Sequence, residues 1–556
     1  MTSVVVKDFF NITSAINMLI NMLVSDFRCR YYKTFTTITL FFLIITKCAI
    51  MSFNQILKQE KGSLNHEGAM TFQLTSEMEL YTAVCSMALQ PKFYETPNER
   101  VERIAELVRR CDATFVAKLA VYARRVMYMR SIPLLLVVEL SRIHNGDNLV
   151  SRTVEQVVMR VDEIMELLIC YQWRNPKSGI KKLGKLSHQI RVGLQAAFNK
   201  FDEYQFAKYD RSNLEVKLRD ALFIVHPKPK DEAQQQLFDK IVAGTLDTPY
   251  TWETELSALG CEQFENDETR SAAFTRKWCE LIDSGKVGYM ALMRNLRNIL
   301  QANVDDATLK TVVERISNPY EISRAKQFPF RYLSAYKELE NVASINTPIV
   351  LDALEKAALE SANNIMGFDS NTKVMLACDM SGSMQCAVSR NSKTMLYEVG
   401  NMLAMLLQSQ CKKVISGFFA SEWKMINYPH TSVLSNTCSI SSRVGEVGYG
   451  TQGGKPLEWL IKEEIEIDKV MFFTDCQFWG ESDFGKYFLG LWEKYKKISP
   501  NAKLYLFDLA GYGHSPIEIP REDVMLIAGW NERVFDMIAS IENGNNLIEE
   551  INKIDL

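Results

Sequence analysis

The sequence contains no apolar run of the roughly 20 residues that a membrane-spanning helix needs. TFTTITLFFLIIT, from Thr34 to Thr46, stops well short of that length. It is also a poor secretory signal, because more than thirty residues precede it and Lys47-Cys48 forms neither a cleavage nor a lipidation site. Translation is expected to begin functionally at Met51, where MSFNQILKQEKGSLNHEGA turns polar, leaving residues 1–50 as an extension outside the working chain. Paired cysteine motifs are missing too. The 12 cysteines include no C-x-x-C and none at zinc-ligand spacing from a histidine, so neither a disulfide framework nor a structural zinc is indicated, and a reducing cytoplasm is expected. Charge of one sign is not in excess. A net charge of -3 excludes a chain coated in positive charge and shifts the search to local patches.

What is present is an ordinary globular composition, 47% hydrophobic and 24% charged, in a chain of 556 residues that is too long for one core. From about Thr75 to Lys356 amphipathic helical patterns follow one another. NERVERIAELVRRCDATFVAKLAVYARRV, for example, sets Val101, Ile104, Leu107 and Val108 on one face. Helix pairs that each bury a face against the next pair predict a HEAT-like solenoid. After Gly367 short apolar runs (KVMLACD, KVISGFFA, DKVMFFTD, AKLYLFDLA) alternate with helical patterns, which predicts a doubly wound α/β domain with a mainly parallel sheet. The expected division is 1–50 as extension, 51–366 as helical repeats and 367–556 as the α/β domain.

Ligands of such sheets gather beyond the carboxyl ends of the strands, and three polar clusters fall at that end. Asp379, Ser381 and Ser383 follow the first strand, Thr451 lies in the loop GYGTQGGKP, and Asp475 ends VMFFTD. Hydroxyls and carboxylates are hard oxygen donors, and this set suits octahedral Mg²⁺. D-x-S-x-S alone is equally a common turn with a capping aspartate. Joined in this order by Thr451 and Asp475, it resembles the metal-ion-dependent adhesion site of von Willebrand factor A domains. The resemblance implies a divalent cation near Ser381, Ser383 and Thr451, with Asp379 and Asp475 bound directly or through water.

In the helical part, NHEGAMTFQLTSEMELYTAVCSMA, RSIPLLLVVEL, MALMRNLRNIL and ISRAKQFPFRYLSAY are similar to segments of the TROVE module of the Ro autoantigen ribonucleoproteins, and FFTDCQFWG resembles the Ro form of the A domain. That resemblance implies a monomeric ring of HEAT-like helices closed by the A domain. Such a ring would bind small noncoding Y-like RNA on its outside and single-stranded 3′ ends of misfolded RNA in its hole. It implies RNA quality control or processing without catalysis, with a 3′-to-5′ exoribonuclease as a partner and no membrane. The composition agrees in one place: Tyr171 to Lys230 holds 13 Lys or Arg against five acids, with Trp173, Tyr204 and Tyr209 available for stacking. Such a run is more often a solvated helix face. AKYDRSN and KLRDALFIVHPKP align with the RNA-contacting segment of the family, which implies RNA contacts at Lys208, Arg211, Arg219 and His226. His226 also reads as a helix end before Pro227. Arg294, Arg324, Lys326 and Arg331 fall in segments that the resemblance places inside the ring, whereas Asn295 reads as a buried hydrogen-bonding residue. Two other classes remain open. One is a metal-dependent protein-binding adaptor that captures a partner's carboxylate. The other is a metallohydrolase, for which no histidine, lysine or glutamate motif beside the D-x-S-x-S loop supplies a general base.

Overall fold

The computed structural model describes residues 61–86, 92–176, 185–210, 214–362, 371–388, 392–479, 484–519, 521–530 and 547–556, together with 368, 533–535 and 538. All lie in one compact unit, residues 59–556, and the expected extension 1–50 falls outside them.

The first helices begin on local capping signals. Thr75 accepts from the Met78 N–H at the start of α1 (Ser76–Cys85). At α2 (Pro97–Arg110), Thr96 and Glu99 form a reciprocal capping box, Pro97 occupies the first position, and Arg109 and Arg110 face the negative end of the dipole. Asp112 breaks the long helical pattern there and caps α3 (Ala113–Arg125) by accepting from Thr114 and Phe115. The apolar stripe of α2, with Val101, Ile104, Leu107 and Val108, is buried. Each such side chain contributes about 1.5–3 kcal/mol of transfer free energy. Four further helices, α4 (Ser131–Ile143), α5 (Leu149–Val157), α6 (Val161–Arg174) and α7 (His188–Phe198), stack in repeat fashion: α3 against α4 and α5, α4 against α6, and α5 against α7. Helices continue to Thr347–Ser361.

The α/β domain follows. Its sheet contains β3 (Lys373–Asp379), β4 (Lys413–Phe419), β5 (Trp423–Ile426), β6 (Lys469–Thr474), β7 (Lys503–Asp508) and β9 (Val524–Ala528), in the order β5-β4-β3-β6-β7-β9. All pairs are parallel except the edge pair β4–β5. The chain leaves β3 in one direction to β4 and returns to its other side at β6, so the switch point lies beside the ends of β3 and β6, at Asp379 and Thr474.

A hairpin, β1 (Lys61–Leu64) and β2 (Met70–Gln73), precedes the helices and extends the α/β domain by pairing with β8 (His514–Ser515). The helical series therefore begins on this domain and also ends on it. At its start the Tyr81 hydroxyl donates to Ala528 O at 2.9 Å, Arg100 donates to Ala510 O at 2.6 Å, and Arg103 to Gly511 O at 2.7 Å. At its end Lys337 pairs with buried Glu398 at 2.9 Å, and Glu355 accepts from the Leu434 and Ser435 N–H groups at the start of the helix Leu434–Ser441. The two contacts close a circuit of helices through the sheet domain.

Candidate metal centre and cationic cavity

The structure brings the five predicted metal-site residues to the carboxyl end of the sheet. Asp379, Ser381, Ser383, Thr451 and Asp475 are all buried. Asp379 Oδ1 accepts from the Ser381 N–H at 2.9 Å, turning the chain so that Ser381 and Ser383 point together, with their hydroxyls 3.2 Å apart. Gly382 N–H donates to Tyr449 O at 2.9 Å, and Trp479 N–H to Thr451 O at 2.7 Å, so the glycine-rich loop is tied to both neighbouring loops. Residue 453 must be glycine for this approach, because a Cβ there would meet the Phe478 ring at 2.5 Å.

Two acids lie in this water-poor pocket. Burial pushes the Asp379 carboxyl up to about 6, while burial and the charge of Asp379 push Asp475 up to about 7. Asp379 Oδ2 accepts from Thr474 at 2.6 Å, and Asp475 Oδ1 accepts from the Gln477 N–H at 3.0 Å. Among the described residues Asp475 Oδ2 is buried without a hydrogen-bond partner at bonding geometry, with the Ser383 hydroxyl beside the carboxylate. An orphan carboxylate oxygen, a second acid close by and converging hydroxyls form an all-oxygen donor set that a hard cation fits. Thr474, which shares the strand end with Asp475, carries no ligand role in the sequence reading. Its hydroxyl also accepts from the Cys476 N–H at 3.1 Å, which orients it toward Asp379.

The candidate RNA residues separate into two groups. Arg294, Lys326 and Arg331 line a cavity of about 990 Å³ inside the helical circuit, and Lys208 and Arg294 line an adjoining one of about 740 Å³. Lys208 stands over the Tyr204 ring at 5.7 Å, and Lys326 over Tyr128 at 4.9 Å. Partial burial and the nearby Arg294 charge hold Arg331 below its usual range. Three other cations of these walls are neutralised, Arg124 by Glu163, Arg130 by Asp162 and Arg297 by Glu338, while Lys286 stands over the Tyr250 ring at 4.7 Å. Among the described residues, no carboxylate lies within ion-pair distance of Lys208, Arg294, Lys326 or Arg331. Arg324 is exposed and held against Tyr320, with a 3.2 Å hydrogen bond to its hydroxyl.

Arg219 and His226 are exposed at the two ends of the short helix Leu218–Val225 and line neither cavity. His226 adopts a left-handed conformation, with φ 51°, and its N–H caps Leu222 O. The helix-end role expected as one reading of His226 is therefore filled by its backbone, leaving the ring exposed. Arg211 lies outside the described residues. The basic run is also partly structural: Arg174 pairs with Glu139 at 2.5 Å, and Lys200 donates to Val158 O at 3.2 Å at the end of α5. Asn295 is buried and bonds Ala291 O at 2.9 Å.

This chain matches the TROVE domain over residues 221–414 and the Ro60 vWA domain over residues 373–541. Its curated relatives include the RNA-binding protein RO60 of Deinococcus radiodurans, 24% identical over 58% of this chain and 65% of that protein. Telomerase protein component 1 of Rattus norvegicus and of Mus musculus are 31% and 30% identical over 23% of this chain and 4% of each relative. The chain thus spans less than two thirds of the length of these curated relatives. The crystal structure of the Deinococcus radiodurans RO (RSR) protein shares the fold with a TM-score of 0.53 at 19% identity, covering 84% of this chain and 100% of that one.

Proposed function

Since the chain belongs to the Ro family, in which a TROVE domain leads into a Ro60 vWA domain, we propose that it is an RNA-binding protein of a ribonucleoprotein. The observation that carries this reading is the set of cavity-lining cations, Lys208, Arg294, Lys326 and Arg331, that have no carboxylate partner among the described residues, whereas Arg124, Arg130 and Arg297 of the same walls are paired. Like charges held together cost free energy unless an anion joins them, and a phosphate backbone supplies anions at regular spacing. Tyr204 and Tyr209 at the same wall give stacking surfaces for unpaired bases. A single-stranded RNA end, such as the 3′ end of a misfolded RNA, is the ligand these walls suit. A structured Y-like RNA would use the exposed face with Arg219 and His226. The role is binding rather than catalysis, in the cytoplasm, as a monomeric ring, with a 3′-to-5′ exoribonuclease as the class of enzyme to act on the delivered RNA.

The metal site is proposed to hold Mg²⁺ between Asp379, Ser381, Ser383, Thr451 and Asp475. The orphan Asp475 Oδ2 supports it. Bound there, the cation would relieve the repulsion between the two buried acids. The test of the RNA reading is affinity for a single-stranded RNA across a salt series. Arg331→Ala should lower affinity and reduce the salt slope by about one phosphate contact, roughly 0.7 in log-log slope for a single strand, without lowering the melting temperature. An unchanged slope would remove the cavity from the RNA path.

A further inference from the structure

The outer side of the metal centre is covered by the chain's own hairpin. Residues 65–69 form the turn between β1 and β2, closed by the Asn65 N–H on Ala69 O at 2.9 Å, with Gly68 at φ 78°. This turn is fastened to the loop that carries Asp475. The His66 N–H donates to Gln477 Oε1 at 3.0 Å and Asn65 Nδ2 donates to Phe478 O at 2.8 Å, while the Gln477 N–H holds Asp475 Oδ1. Asn65 Oδ1 also accepts from the Glu67 N–H at 3.0 Å, which fixes the backbone of Glu67. The Glu67 carboxylate accepts from the Tyr94 hydroxyl. That hydroxyl lies against Ser383 and beside Asp475, and the Tyr94 ring stacks on His66 at 4.8 Å. One hydroxyl group therefore stands between a third carboxylate and the donor set.

We propose that Glu67 is a built-in ligand of the metal centre: when a divalent cation is bound, the β1–β2 hairpin delivers this carboxylate to the outer coordination position, so the site holds the chain's own hairpin rather than a partner's acid. The inference rests on the Mg²⁺ reading above. A hard cation prefers a carboxylate oxygen to a neutral phenol, and Tyr94 then keeps the role of orienting Glu67 by a hydrogen bond to its second oxygen. The consequence is mechanical. The hairpin enters α1 directly, and α1 is the first contact of the helical series with the sheet domain, so metal would lock the point where the circuit closes.

The test uses the full chain, with Mg²⁺ affinity by calorimetry and amide hydrogen exchange of residues 61–73 as readouts. Mg²⁺ should slow exchange of the hairpin in the wild type. Glu67→Gln should bind Mg²⁺ about tenfold more weakly and lose the Mg²⁺-dependent protection. Tyr94→Phe, which keeps the carboxylate, should retain most of the protection. Wild-type affinity and protection in Glu67→Gln would overturn the proposal while leaving the metal site standing, whereas absence of Mg²⁺ binding in the wild type would overturn both. Acetate gives an independent measure that needs no variant. It should leave wild-type Mg²⁺ affinity unchanged, and a gain in affinity with acetate would mean that the outer position is open and the proposal wrong.

Discussion

At the scale of single residues, the joint between the hairpin and the sheet domain depends on a histidine that is kept neutral. Burial, the neighbouring His66 and Arg103 hold the His514 ring down at about 4. His66 meets it edge-on at 6.0 Å, and Arg103 is itself paired with Glu79 and Glu95. The unfolded chain takes up a proton near the ordinary value of 6.5, the folded chain only near 4, so the unfolded state binds more protons in between and stability falls as pH drops through that window. The loss approaches about 3 kcal/mol when the titration is complete. Asp379 and Asp475, raised to about 6 and 7, contribute in the opposite sense over the same window, so His514→Gln should shift melting temperature toward relatively greater stability in acid, compared with the wild type, between pH 7 and 4. A variant that follows the wild-type profile would assign the acid sensitivity elsewhere. The sequence did not expose this site, because β8 has two residues and the partners of His514 stand more than 400 positions away.

At the scale of elements, legibility followed local strength of signal. β3, β4, β6 and β7 were readable as apolar runs because both faces of a parallel sheet are covered. The hairpin was not: KGSL and MTFQ are four-residue strands without a clear alternation, and their partner in the sheet is supplied by the other end of the chain. The gathering of Asp379, Ser381, Ser383, Thr451 and Asp475 at one end of the sheet was legible from order and strand position, whereas the bond from Thr474 to Asp379 and the approach of Tyr94 and Glu67 depend on contacts that no local motif encodes. The docking of α2 is another long-range device. Arg100 is buried, pairs with Glu95 at 2.5 Å, and donates to Ala510 O at the exit of β7. Arg100→Ala should cost about 1–3 kcal/mol, because it removes one of the two guanidinium partners of Glu95, which keeps Arg103, and one of the two donors on Ala510 O, which keeps Lys92. Chemical denaturation checks this, and a loss below about 1 kcal/mol would mean that water replaces the guanidinium. Gly511, at φ 65°, belongs to the same joint: a Cβ there would collide with Ser86 and the Thr82 backbone. Gly511→Ala should therefore loosen α1 from the sheet domain, read as faster hydrogen exchange in both.

At the scale of the whole molecule, the question is whether the interior cations and the exposed basic face serve one RNA or two. The sequence placed Lys208 and His226 in one basic segment. The fold separates them, sending Lys208 to the cavity wall with Arg294 and leaving His226 outside both cavities. The cause is the path of the chain between them, since the helix Glu203–Tyr209 ends facing the cavity and Leu218–Val225 packs on other helices before His226 turns out. If the interior takes single strands and the exterior takes folded RNA, substitutions should divide by location. Arg294→Ala and Lys208→Ala should weaken a duplex with a single-stranded 3′ tail more than a compact stem-loop RNA, each reducing the salt slope by about one phosphate. Arg219→Ala and His226→Ala should do the reverse, because a duplex-like RNA is read by shape and backbone from outside and cannot enter a cavity of about 990 Å³. Both RNAs would be measured against all four variants across a salt series, with melting temperature as the control for folding. Equal losses for both RNAs in all four variants would mean one continuous RNA path, and no loss in the Arg219 and His226 variants would make their face an ordinary solvated surface.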